Sequence, residues 1–142
     1  MITFKQALRN AIEIEEGAAA FYRKLQSLAG DAQARDFFGR MAGIEAQHAA
    51  TIAEIGEQLA AGALPVQADA NVARVETSPQ WTAAEEISYE QALELAIEAE
   101  NSAALYYDAM ADFAQGEVAK LLRDLAQTEL QHAGMLRELQ EG

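Results

Sequence analysis

The stretch "TFKQALRNAIEIEEGAAAFY" (3–22) returns without a gap as "SYEQALELAIEAENSAALYY" (88–107). Ala7, Leu8, Ala11, Ile12, Glu13, Glu15, Ala18 and Tyr22 each recur 85 positions later. A second match follows, "FFGRMAGIEAQHAATIAEI" (37–55) falling on "LLRDLAQTELQHAGMLREL" (121–139) at a spacing of 84. The one-residue difference is absorbed by the loop between the two segments. Two related halves imply two copies of one supersecondary unit.

The apolar residues in each segment recur at helical spacing, so each half reads as a helical hairpin. Thr3 with Gln6, and Ser88 with Gln91, fit capping boxes that open a helix. Gly30 and Gly116 follow apolar periodic runs and read as helix stops. Residues 62–87 hold both prolines, Pro65 and Pro79, and form a connector. It is long enough, at about 3.3 Å per extended residue, to run the length of a bundle. Leu64, Val66, Val72, Val75 and Trp81 are expected to pack it on the surface. Hairpins 3–61 and 88–141 joined by one long crossover give an all-α fold, a ferritin-like four-helix bundle in a single domain over residues 1–142.

Composition narrows the functions open to such a bundle. A length of 142 residues, 51% of them apolar, is enough for one compact core. A formal net charge of −13 argues against nucleic acid or an anionic membrane as partner and suits cations. With no cysteine there is no disulfide framework and no thiolate metal site. "MITFKQALRNAIEIEE" is charged throughout and lacks the apolar centre of a signal peptide, and no run has the length of a membrane span. A soluble, cytoplasmic protein is expected.

Each helix interrupts its own apolar stripe with ionisable groups near its middle. In the first the stripe is Phe4, Leu8, Ala11/Ile12, Ala18/Ala19, Tyr22 and Leu25, with Glu15 inside it. Glu13 falls on the polar side. Glu16 borders the stripe, but its counterpart in the second half is Asn101, whereas Glu15 is matched by Glu100. The third helix repeats the pattern with Leu93, Ala96/Ile97, Glu100, Ala103/Ala104 and Tyr107. The second carries Phe38, Met41, Ile52, Ile55 and Leu59, with Glu45 and His48 in the gap. The fourth carries Leu122, Leu125, Leu136 and Leu139, with Glu129 and His132 in the matching gap. His48 and His132 are the only histidines of the chain, and each has a glutamate three residues before it.

These groups also share a level. Glu15 and Glu45 each lie fifteen residues from Gly30, which places both about 22 Å from the hairpin loop. Glu100 and His132 each lie sixteen residues from Gly116, with Glu129 one turn nearer. Six groups can therefore meet in one layer.

Four buried carboxylates must be protonated, paired or metal-bound, since each unpaired one costs several kcal/mol. No lysine or arginine lies on the stripes at that level. Two divalent cations would neutralise the four glutamates, and two imidazoles would complete an oxygen and nitrogen donor set. The i, i+3 spacing puts Glu and His of one helix on the same face, able to reach the same ions. Such donors fit iron or manganese better than structural zinc. Tyr22 and Tyr107, two turns beyond Glu15 and Glu100, read either as core tyrosines or as contacts that orient the ligands. Gly39 and Gly43, one turn apart on the side away from Glu45, are places where another chain could approach closely.

This pattern resembles the rubrerythrin and ferritin-like di-iron carboxylate proteins, in which two helices supply one Glu each and two supply Glu-x-x-His. The resemblance covers the whole chain except the crossover. It implies two iron ions, with Glu45 and Glu129 bridging, Glu15 and Glu100 as terminal ligands, and His48 and His132 binding one ion each. It further implies oxidation of ferrous iron by dioxygen or peroxide, an external electron donor, and a homodimer or larger homo-oligomer, in iron handling or oxidative-stress defence. The alternatives are non-enzymatic iron storage and a structural bundle holding zinc or manganese. Two features depart from full-length rubrerythrin. There is no rubredoxin domain, and Ile97 and Ala103 stand one turn either side of Glu100, where peroxide-reducing members carry a further glutamate.

Overall fold

A computed structural model describes residues 4–62 and 87–141. They form four helices and no strand: α1 Phe4–Leu28, α2 Ala32–Gly62, α3 Tyr89–Ala111 and α4 Gly116–Glu141. The crossover with both prolines, the Thr3 cap and the side chains of Phe4 and Leu59 lie outside the described residues.

Helix boundaries follow from local chemistry. Ser88 opens α3 with the full reciprocal box: its hydroxyl accepts from the Gln91 backbone N–H, and the Gln91 side chain accepts from the Ser88 N–H, both at 3.1 Å. Asp31 caps α2, its carboxylate accepting from Ala34 N–H at 3.1 Å. Gly30 lies just past the end of α1, as its sequence position implies. Gly116 differs from expectation. The third helix already ends at Ala111, where tightened turns (Phe113 N–H to Met110 O, Ala114 N–H to Ala111 O) take over. Gly116 instead opens α4, with a positive φ of 62° that glycine adopts without strain.

The helices pack most closely within the hairpins, α1 on α2 and α3 on α4, and α1 also packs on α3. Alanines make this last approach possible: Ala7, Ala11, Ala92, Ala96, Ala99, Ala103 and Ala104 are all buried. Tyr106 joins the hairpins here, its hydroxyl donating to the Ala7 carbonyl at 2.9 Å. The fourth pair is looser. The start of α2 lies near the end of α4, where Phe37 and Ala34 share a groove with Met135 and Leu139. At the other end, Ile55 of α2 shares a groove with Val118 and Leu121 of α4. So α2 and α4 run antiparallel with an open groove at each end.

The stripes are buried largely as their spacing requires, with Leu8, Tyr22, Leu25, Phe38, Met41, Ile52, Leu93, Tyr107, Leu122 and Leu136 in one core. Burying each large side chain is worth roughly 1.5–3 kcal/mol. The buried face of α1 and α3 is wider than the stripe, because each packs on two neighbours. Ile14, Phe21, Ala99 and Tyr106 are therefore also core, while Ile12 is only partly buried. Glu13 and Glu16 are exposed.

Gly39 faces its own chain. A Cβ there would sit 2.6 Å from Gln26 Nε2, whose amide donates to the Arg35 carbonyl. Gly43 has nothing within 4 Å of a Cβ. Gly43→Ala should therefore stabilise the isolated chain by about 1 kcal/mol through helix propensity, raising the melting temperature by a few degrees. Gly39→Ala should gain little, because the Gln26 bond must give way. Calorimetry of the two variants checks this, and equal effects at both positions would contradict it.

Candidate metal centre

Each helix delivers its ionisable residues to the same layer because they occupy positions its core stripe would otherwise fill. Glu15, Glu45, Glu100 and Glu129 are 0–1% exposed and His132 is 3% exposed, while His48 is partly buried. The six side chains fall into two overlapping groups. Ligand atoms of Glu15, Glu45, His48 and Glu129 lie within 4.8 Å of one another, and so do those of Glu45, Glu100, Glu129 and His132. Glu45 and Glu129 belong to both groups. Each group has one further glutamate and one histidine.

Both imidazoles turn Nδ1 toward the carboxylates. His132 Nδ1 is 2.9 Å from Glu45 Oε1 and 3.0 Å from Glu100 Oε2. His48 Nδ1 is 3.0 Å from Glu129 Oε1, 3.6 Å from Glu15 Oε2 and 3.8 Å from Glu45 Oε2. The rings face each other nearly parallel, at 7°, with centroids 6.1 Å apart. Glu15 Oε2, both oxygens of Glu45, Glu100 Oε1 and Glu129 Oε1 are buried without a well-aligned hydrogen bond. Buried carboxylate oxygens left this way are costly unless a cation takes them up. The donor set and these oxygens fit a pair of metal ions.

Two tyrosines reach the layer and cross between the halves. Tyr107 of α3 donates to Glu15 Oε1 of α1. Tyr22 of α1 interacts with Glu100 of α3. Both tyrosines are buried in the core, and each approaches the glutamate of the other half, not that of its own helix. Sequence spacing along one helix carries no signal of that exchange. Tyr106, which locks α3 to α1, was also not legible from the stripe.

Electrostatics follow from this crowding. Burial first, then the neighbouring carboxylates, push Glu45 and Glu100 well above the ordinary range. Burial and the Glu15 charge take Glu129 from 4.5 to about 6. Burial would also raise Glu15, but bonds from Glu45, His48 and Tyr107 and the His48 charge outweigh it and lower its pKa. His48 loses by burial yet is held at about 9 by Glu129 and Glu15. Burial and the charge of His48 depress His132 to about 4. Burial, then Glu100 for Tyr22 and Glu15 for Tyr107, raise both phenols, so both remain donors.

A four-helix bundle with paired glutamates and two Glu-x-x-His pairs facing one layer defines the ferritin-like class of carboxylate-rich, metal-binding proteins. The Rubrerythrin family model matches residues 6–140, nearly the whole chain, and the protein belongs to that family. Neither the curated proteins nor the solved structures gave a match. Among the described residues, no helix is long and apolar enough to cross a membrane.

The metal-free protein should lose stability as pH rises from about 6.5 to 9. His48, raised to about 9, contributes stability that is complete below 6.5 and lost above it. Glu45 and Glu100, raised by burial, hold protons the unfolded chain has already released, so they act in the same direction. Below 6.5 His132 opposes them, since its depressed pKa favours unfolding there. Ions that bind only the folded state offset this loss by mass action. Melting curves with chelator and with added metal should diverge by several degrees across this window. A gap that stays constant from pH 6.5 to 9 would contradict the burial of these charges.

Proposed function

We propose that this protein is a di-iron oxidoreductase that oxidises ferrous iron with dioxygen or peroxide, in the cytoplasm, in iron handling or oxidative-stress defence. The observation that carries the reading is the pair of overlapping four-residue groups sharing Glu45 and Glu129. In this reading Glu45 and Glu129 would be shared by the two ions. Glu15 and Glu100 would each hold one of them, and so would His48 and His132 through Nδ1. Iron held there would supply the electrons that the oxidant accepts. The chain's part is to hold the ligands. The four carboxylates match the charge of two divalent ions, and the buried layer keeps bulk water away. The hydrogen bond from Tyr107 would fix the orientation in which Glu15 meets an ion, and Tyr22 lies close enough to Glu100 to influence it.

Ile97 and Ala103, one turn either side of Glu100, are buried and carry no donor atom. The helix therefore offers no additional carboxylate to exchange for a histidine when the oxidation state changes. The same six protein ligands should serve both states, and an external reductant, reached in a homodimer or larger assembly, should return the site to ferrous iron. X-ray absorption of oxidised and reduced protein tests this, and replacement of His48 or His132 by a carboxylate in either state would overturn it.

Anaerobic loading with ferrous iron followed by oxygen is the direct test of function. Oxygen uptake with formation of ferric protein, repeated on each addition of reductant, is the expected result. Ferric iron accumulating far beyond two per chain would indicate storage, and stable zinc or manganese without oxygen uptake a structural site. Glu45→Ala with Glu129→Ala should abolish retention of both ions by elemental analysis, whereas Glu15→Ala should spare more. Tyr107→Phe should keep the fold and weaken metal affinity about tenfold or more, because Glu15 loses its hydrogen bond. Unchanged affinity in a titration would remove Tyr107 from the site.

A further inference from the structure

The two histidines are equivalent in the repeat but not in their surroundings. The His48 side chain is 14% exposed and the His132 side chain 4%. His132 is also gripped more tightly, at 2.9 and 3.0 Å by Glu45 and Glu100, against 3.0, 3.6 and 3.8 Å for His48. A local difference in sequence accompanies it. On a helix, a side chain leans back over the turn before it, so the residue at i+3 partly covers residue i. That residue is Met135 for His132 and Thr51 for His48, equivalent positions in the two halves. Met135, 38% exposed, lines the α2–α4 groove beside Phe37 and Leu139, and its side chain is long enough to reach back toward the turn that carries His132. The short threonine does not reach as far.

Among the described residues, the remaining sides of the layer are closed. On the α1–α3 side, Tyr107 is bonded to Glu15, Tyr22 sits against Glu100, and Tyr106 is bonded to Ala7, with buried alanines between. Within each hairpin the helices are in close contact. Among the described residues the α2–α4 side is the loosely packed one, and the more open imidazole there is His48.

We propose that ions enter and leave through the α2–α4 face beside His48. The position formed by Glu15, Glu45, His48 and Glu129 is then the exchangeable one, and that of Glu45, Glu100, Glu129 and His132 the retained one, with Thr51 and Met135 setting the difference. The inference rests on the six residues holding two ions. It concerns the order and rate of exchange, not the chemistry.

Cobalt(II) is a suitable probe, followed by its absorption as a chelator removes it from fully loaded protein. Two phases of equal amplitude are expected, the slow at least severalfold slower than the fast. Thr51→Met should slow the fast phase and leave the slow one unchanged. Met135→Thr should accelerate the slow phase and leave the fast one unchanged. Neither substitution removes a ligand, and circular dichroism verifies that both fold. His48→Ala should remove the fast-phase ion alone. One phase carrying both ions would overturn the proposal, as would Thr51→Met acting on the slow phase or Met135→Thr on the fast. Failure of wild-type protein to bind cobalt would instead sink the metal-site reading beneath it.

Discussion

Four carboxylates held in the core of a small bundle are the constraint on which the rest of this structure depends. Among the described residues, their mutual repulsion in a poorly solvated layer is compensated by two imidazoles and two phenols. The result without metal is a mixed arrangement: His48 charged, His132 neutral, Glu15 ionised, and Glu45 and Glu100 holding protons well above their ordinary range. Such a layer would be a poor choice for stability alone, since apolar residues of similar volume usually stabilise a core better than buried charge does. Its presence near the middle of every helix is intelligible as a binding site that accepts the cost of burying acids.

The fold accommodates that layer by keeping the rest of each helix conventional. Apolar residues fill the stripe above and below the acids, so the bundle has two hydrophobic zones with the polar layer between them. Alanines draw α1 and α3 together on the tyrosine side. The α2–α4 side remains more open, and the histidines lie there. Burial is thus unequal around the layer. Rigidity is supplied from the phenolic side and access from the imidazole side.

Much of this was legible in the sequence because the signal is duplicated. The 85-residue repeat aligned Glu15 with Glu100, and the 84-residue repeat aligned Glu45 and His48 with Glu129 and His132, so each inward polar position was seen twice. Helical periodicity then separated Glu15 from the exposed Glu13 and Glu16. What periodicity could not supply was anything set by contact between helices. The reach of Tyr107 to Glu15 depends on how α1 meets α3, and so does the wide buried face that takes in Ile14, Phe21 and Tyr106. Gly116 illustrates a local failure. Its residue type announced a special backbone conformation correctly, but the helix before it had already ended in tightened turns whose stopping point has no glycine.

The sharing of Glu45 and Glu129 has a thermodynamic consequence. The first group takes Glu15, Glu45 and His48 from one hairpin and Glu129 from the other; the second takes Glu100, Glu129 and His132 from one and Glu45 from the other. Neither position can be completed by a single hairpin. Coordination energy would therefore appear as affinity between the two halves of the chain, coupling them into one cooperative unit. An excursion that separates the hairpins dismantles both positions together, whereas fraying of a helix end leaves both intact. Ions held there would act as a clasp whose strength is felt only when the halves part.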